Sequence, residues 1–342
     1  MLIKMPKGAY KILQTLISAG FEAFIVGGCV RDSIMEKEPT DWDITTSAKP
    51  DDIKYIFKNH RLICIGQRHG TIAVCCGNVF YEITTYRIDG EYTDHRRPNN
   101  IQFTSNLKDD LARRDFTINA MAYNHIAGII DPFGGLDDIK NRIIRCVGNP
   151  KSRFDEDYLR IMRAYRFSAA LNFDLEPQTR NAAKNAAVNL PSVAAERICA
   201  ELTKLLELGS FEMIKIFLED CADVLFPEIA NLRGVEQNNI YHCYDVYNHT
   251  LEVLRNVRND AALRLAALYH DAGKFPAQTI DSKGIYHFYG HAVESAEIVK
   301  ATLKKLKFDN ATIDRVVAIV SHHCDPIENS SVWSKKFLNK HG

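Results

Sequence analysis

The sequence predicts an α/β head with a mixed sheet, followed by an all-α helical half. Three observations carry this expectation. Short β-like runs crowd the chain ahead of the DPFGG motif at residues 131–135. Beyond that motif strand signals thin out and helical spacing dominates. Pro150, Pro177, Pro191 and Pro227 then cut the remainder into helix-length pieces. At 342 residues the chain exceeds one ordinary core, and the composition places boundaries near residues 148 and 228. The expected domains are therefore 1–148, 149–228 and 229–342.

Residues 6–20 have amphipathic spacing and lead into a strand at 24–26, which stops at Gly27 and Gly28. A basic segment with Arg31 and Asp32 follows. Asp41 and Asp43 then flank Trp42 in a DWDITT strand, where alternation would send both carboxylates to one face. A helix is expected from Pro50, then three β-like runs at 62–65, 71–76 and 79–86. A polar loop, RIDGEYTDHRRPNN, precedes a helical run over 107–123. That run, LARRDFTINAMAY, places Arg113, Arg114, Asp115 and Asn119 on one helix. The next, FDEDYLRIMRAYRFSAA, sets Asp157, Arg160, Arg163 and Arg166 three residues apart on another.

The composition, 46% hydrophobic and 25% charged with zero formal net charge, is that of a soluble globular protein. A polyanionic partner must then be held by a local basic patch, and residues 140–204 supply one, with twelve Lys or Arg against seven Asp or Glu. No apolar run approaches the roughly 18 residues of a membrane span, and Lys4, Lys7 and Lys11 interrupt the N-terminus. The chain reads as cytoplasmic, with no membrane partner. Nine cysteines without a C-x-x-C spacing read as reduced thiols.

Two carboxylates on one rigid strand suit Mg²⁺, whose other ligands are water and phosphate. The glycine pair lets backbone N–H groups approach the same phosphates, so phosphoryl or nucleotidyl transfer is the chemistry implied. A solvated acidic corner is the plainer alternative. Arg114 and Asp115 suit a triphosphate and a ribose hydroxyl, or simply a capped, charged helix. Asp157 can accept from an exocyclic amino group and Arg160 can donate to the adjacent ring nitrogen. That pair accepts C and A and rejects U and G, with Arg163 and Arg166 further along toward phosphate. An ordinary solvated stripe is the alternative there.

VGGCVRD, DWD, RRDFTINAMAY, DPFGG and EDYLRIMRAYRF, in this order, resemble the class II tRNA nucleotidyltransferases, the CCA-adding enzymes and bacterial poly(A) polymerases. The resemblance covers residues 20–210. It implies a nucleotidyltransferase head in which Asp41 and Asp43 bind the catalytic Mg²⁺ ions and Gly28, Arg31 and Arg114 hold the nucleotide. It makes Asp157 and Arg160 an amino-acid template for CTP and ATP, with Arg163 and Arg166 contacting the nucleotide and tRNA as the partner. Glu82 in FYEITTYR is the candidate third acid. The loop at 89–100 resembles that of full CCA-adding or A-adding members. The leading expectation is template-independent CCA addition; an A-adding enzyme or poly(A) polymerase shares every head motif.

Seven of the twelve histidines fall between His242 and His323. His249 in YNHTL and the pair His270–Asp271 in LYHDAGK suit a transition metal such as Mn²⁺, Fe²⁺, Ni²⁺ or Zn²⁺, and this region resembles an HD phosphohydrolase domain. His291, His322, His323 and Asp325 compete as further ligands, whereas His242 and His287 read as core histidines. A metal-dependent phosphohydrolase with a binding head is thus the competing class. Residues 333–342 read like the start of a further helical segment.

Overall fold

Ala9, Ile12, Leu13 and Leu16 recur at three- and four-residue spacing, so helix α1 (Lys7–Ser18) buries one face and leaves Lys7 and Lys11 in water. The computed structural model describes residues 2–90, 92, 95, 100–237 and 244–326. Its chain divides into two units, Met1–Arg160 with Phe173–Ala186, and Ile161–Asn172 with Ala187–Gly342.

In the first unit, α1 leads into β1 (Ala23–Val26), all four residues of which are buried. Gly27, at φ 80° and ψ −131°, turns the chain into α2 (Gly28–Ile34). Then come β2 (Ile44–Thr46), α3 (Pro50–Ile56), β3 (Leu62–Ile63), β4 (Thr71–Cys76) and β5 (Val79–Thr85). A hairpin of β6 (Arg87–Asp89) and β7 (Ile101–Phe103) precedes α4 (Leu107–Ala112), β8 (Ala122–Asn124), β9 (Gly128–Ile130) and α5 (Gly135–Asn141). Next are β10 (Ile143–Ile144), α6 (Pro150–Glu156) and α7 (Leu159–Leu171), within which the division between units falls. β11 (Asp174–Leu175) pairs parallel with β10 and leads into α8 (Pro177–Ala186).

The sheet is mixed and seven-stranded, in the order β3-β4-β5-β2-β1-β8-β9. Only β2 and β5 run parallel. Alternation along β1 feeds two cores: Ile25 packs with Leu13, Ile44 and Ile83, whereas Phe24 and Val26 pack with Tyr86, Leu111 and Val147. A strand covered on both faces reads as a continuous apolar run, which is why AFIV has no polar partner residues.

Three expectations need correction. Asp41 and Asp43 precede β2 instead of lying in it, although the Val26 N–H donates to the Asp43 carbonyl at 3.0 Å and so anchors the segment to β1. The single helix expected over 107–123 ends at Ala112 and gives way to a 3₁₀ turn at Thr117–Asn119 and then to β8. Burial against β1 decides the outcome, since AMAYN fits either period. Asp157 is not helical: it is the extended joint after α6, at φ −147° and ψ 105°, and its carboxylate accepts from the Leu159 N–H.

The second unit is helical. It holds α7 from Ile161, a 3₁₀ segment at Ala187–Ser192 around Pro191, α9 (Ala195–Leu208), α10 (Phe211–Leu225) and α11 (Pro227–Ala230). α12 (Val246–Asn256), α13 (Ala261–Tyr269) and α14 (Lys274–Ala277) follow, then the strand pair β12 (Thr279–Ile280) and β13 (Tyr286–His287), α15 (His291–Lys305) and α16 (Asn310–Ser321). Asp245, Asp260 and Asp309 cap α12, α13 and α16 by accepting from backbone N–H groups. No disulfide joins the described cysteines, and no described helix is long and apolar enough to cross a membrane. Most of the loop at 89–100, His242 and residues 333–342 lie outside the described residues.

Candidate active site and candidate metal centre

The first site gathers where β1 ends and β2 begins. The parallel register pairs Ile44 with Ile83, so Asp43 and Glu82 each stand one residue before that pair, and the Asp43 charge acts on Glu82. Asp43 stays solvent-accessible yet is densely surrounded. Desolvation leads in raising its carboxyl above the usual range, Asp41 adds to the rise, and Arg114 opposes it. Glu82 is raised in the same way, by desolvation and then by the charges of Asp43 and Asp41. Asp41 and Asp43 thus act on one another and on Glu82 by like-charge repulsion, which a divalent cation bound among them would relieve.

The glycine turn lies against the same point. A Cβ on Gly27 would sit 3.0 Å from Arg114 Nη1, whereas one on Gly28 would meet only ordinary contact with Arg31. Gly27, with its positive φ, is therefore the glycine that the turn requires. Arg114 is held 3.5 Å from Asp110, and its buried Nε has no hydrogen-bond partner among the described residues. Asp110 is fully buried and also receives Arg113 at 2.7 Å and the Thr45 hydroxyl at 3.1 Å.

A second network orients Asp115. Asp32 takes two bonds from the Arg31 guanidinium, at 2.8 and 2.9 Å. Arg31 Nη1 donates to Asn119 Oδ1 at 2.7 Å, and Asn119 Nδ2 donates to Asp115 Oδ1 at 3.2 Å. Arg31 is thus bound into the protein, and its sequence neighbour Asp32 is its main partner.

Arg160 is also committed. Its guanidinium donates to the Arg153 and Arg113 carbonyls, each at 3.1 Å, and to Glu156. Burial opposes its charge, while Glu156 and then Asp115 favour it. Asp157 and Arg160 therefore flank one joint, braced by Glu156. In the second unit, Arg163 and Arg166 both face Glu201, and the Arg166 guanidinium lies 3.8 Å from the Phe167 ring centroid.

The metal-type cluster of the second unit is centred on Asp271, at the end of α13. Its Oδ2 lies 3.1 Å from His270 Nε2 and 3.6 Å from His249 Nε2. Its Oδ1 lies 3.3 Å from His291 Nε2 and 3.5 Å from His323 Nε2. The Nδ1 atoms of His270, His291 and His323 point at the carbonyls of Ala267, Phe288 and Val320. A carbonyl only accepts, so each Nδ1 carries a proton, and each ring turns its Nε2 toward Asp271.

Burial would raise the Asp271 carboxyl, but His270, His291 and His323 outweigh it and hold it far below the usual range. The buried Lys274 ammonium is 2.9 Å from Asp271 Oδ2 and 2.8 Å from Gln237 Oε1. Of the competing residues, His291 and His323 join this cluster. His322 and Asp325 pair with each other at 3.0 Å, and His287 pairs with Asp281. Sequence reasoning named both glycines of the pair but gave the nucleotide to Gly28, whereas the turn requires Gly27; it passed over Asp110, Glu156, Lys274 and Cys324.

The family models divide the chain along similar lines. Residues 23–145 match the poly A polymerase head domain, 172–232 the probable RNA and SrmB-binding site of polymerase A, and 239–339 the HD domain. The fold and the two sites define a nucleotidyltransferase head joined to an HD domain. The CCA-adding enzyme of Oceanobacillus iheyensis is 50% identical over 295 residues, which is 82% of this chain and 71% of that protein. That of Bacillus velezensis is 36% identical over 331 residues, 95% of this chain and 74% of the relative. The solved structure of the Bacillus stearothermophilus CCA-adding enzyme in complex with CTP superposes with a TM-score of 0.72 at 30% identity, covering 99% of this chain and 75% of that one. The chain belongs to the CCA-adding enzyme family. Matches to other relatives span less of them, 57% of the Lactobacillus helveticus protein and 49% of the Streptococcus gordonii protein.

Proposed function

We propose that this chain adds C, C and A in turn to the 3′ end of tRNA from CTP and ATP, without a nucleic-acid template, by two-metal nucleotidyl transfer. The observation that carries this reading is the massing of Asp41, Asp43 and Glu82 beside the Gly27 turn and Arg114. The CTP complex of the B. stearothermophilus relative supports the choice of nucleotide. Mg²⁺ held by Asp41 and Asp43, with Glu82 as a third oxygen donor, would activate the terminal 3′-hydroxyl and steady the leaving pyrophosphate.

The chain's own residues do the positioning. Gly27 keeps the turn open for a phosphate to approach the backbone, and Arg114, braced by Asp110, offers its guanidinium to that phosphate. The Asp32–Arg31–Asn119 relay fixes the Asp115 carboxylate, which suits a ribose hydroxyl. At their braced joint, Asp157 would accept from the exocyclic amino group of C or A and Arg160 would donate to the adjacent ring nitrogen. Asp41→Ala or Asp43→Ala should reduce nucleotide addition to background while tRNA binding persists, because the lost groups hold metal, not RNA. Near-normal addition by either variant at ordinary Mg²⁺ would refute the assignment.

The Asp271 cluster favours a second, separate activity. His249, His270 and Asp271 form a group of three ligand atoms within 4.8 Å of one another, suited to a transition metal that activates water for phosphoester hydrolysis.

A further inference from the structure

The outer strands of the head sheet bury one face against helices. Ile72 and Val74 of β4 and Tyr81 and Ile83 of β5 pack with α1 and α3. Side chains alternate along a strand, so the residues between them face the other way. The register sets these in rows: Ile63 of β3 beside Ala73 and Glu82, then Cys75 beside Phe80, with the Cys75 N–H donating to the carbonyl of Arg61. Ile63 and Phe80 are each 38% exposed, and the Arg61 guanidinium lies 5.6 Å from the Phe80 ring centroid.

We propose that Phe80 and Arg61 form a platform for the 3′ end of the RNA being extended, where the base behind the terminal nucleotide stacks on the ring and its phosphate meets the guanidinium. The proposal rests on the nucleotidyl-transfer reading of Asp41, Asp43 and Glu82, because the direction of the RNA follows from that chemistry.

In the sheet order β1 lies on one side of β2 and β5 on the other. Gly27 and Arg114, which suit the triphosphate, sit at the end of β1, whereas Glu82 belongs to β5. Attacking and leaving oxygens stand in line on opposite sides of the transferred phosphorus. A pyrophosphate leaving toward Gly27 therefore puts the attacking 3′-hydroxyl on the Glu82 side. The RNA behind that hydroxyl trails over β5 and β4, whose other face is filled by α1 and α3. Phe80 stands two residues from Glu82 on the same face, about 7 Å away by strand rise, which is the height of about two stacked nucleotides. An aromatic ring takes any base by its π-face, and Ile63 and Ala73 offer no side-chain donor or acceptor with which to read sequence. Such a platform suits a primer whose last bases change with every nucleotide added.

The test uses the full-length chain and a tRNA ending after CC, with 2-aminopurine in place of the penultimate base, whose fluorescence falls on stacking. Without nucleotide, the wild type should quench it, Phe80→Ala should bind without quenching, and Phe80→Trp should quench again. In steady-state addition, Phe80→Ala should lower kcat/KM for the tRNA about tenfold and leave the KM for ATP unchanged. Arg61→Ala should reduce the salt slope of tRNA binding by about one. Tyr55→Ala, which removes an exposed aromatic of α3, should change none of these. An unquenched base in the wild type, quenching that persists in Phe80→Ala, or an equal loss in Tyr55→Ala would each overturn the platform. A wild type that quenches the base but adds no nucleotide, with the quenching lost in Phe80→Ala, would instead refute the transfer reading and leave the platform standing.

Discussion

Asp157 and Arg160 carry the claim that the protein itself selects the incoming base. Arg160 is engaged on several sides: Glu156 and two backbone carbonyls accept from its guanidinium. Asp157, at the extended joint two residues before Leu159, spends a carboxylate oxygen on that residue's N–H. Such bracing is what a rigid hydrogen-bonding edge requires, because a base that presents the wrong polarity then leaves polar groups unpaired. Each unpaired group costs about 1 to 3 kcal/mol. Asp157→Ala and Arg160→Ala should therefore relax the preference for C and A over U and G by about ten- to a hundredfold, read by single-nucleotide incorporation with each of the four NTPs. Variants that keep full preference and lose only speed would make the joint structural.

Among the elements, α4 and the turn after it tie the head site to the core. Asp110 is buried in α4, and although burial works against its charge, Arg113 and Arg114 hold its carboxyl below the usual range. A carboxyl depressed in the folded state contributes stability above its ordinary pKa and loses it as the pH falls through the folded value. Thermal melts taken downward from neutral pH should show that loss in the wild type and a flatter acid limb in Asp110→Asn. Asp110→Ala should cost about 3–5 kcal/mol by stranding Arg114. In the other unit, Asp271→Ala or His270→Ala should lower bound transition metal without ending nucleotide addition, as metal analysis beside the addition assay would show; unchanged metal would make that cluster purely structural. The same elements show what was legible in the sequence. AFIV, TIAVCC and FYEITT read as strands because their own residues dictate burial. The α4 break did not, because it depends on Arg31 reaching Asn119 from 88 positions away and on β8 packing beside β1. The β6–β7 hairpin hid in a polar stretch with no alternation. Cys324 hid because its partners, His291 and His323, come from the start of α15 and the turn after α16, a relation without a sequence spacing.

The whole molecule joins a nucleotidyltransferase head to an HD domain in a chain that carries no net charge overall but a basic excess between residues 140 and 204. That arrangement is compatible with several products: CCA from a bare tRNA end, a single A on a tRNA ending in CC, or a run of A residues on any RNA. They differ in order and in stopping, which only the intact chain can display. The most direct measurement incubates the purified protein with tRNA ending before CCA, after C and after CC, each with one NTP at a time and with CTP and ATP together. The account predicts C on the first two ends, a single A on the third, no U or G, and a product that stops at CCA. Addition of A alone, and only to the end that already carries CC, or continued A addition past CCA, would contradict it.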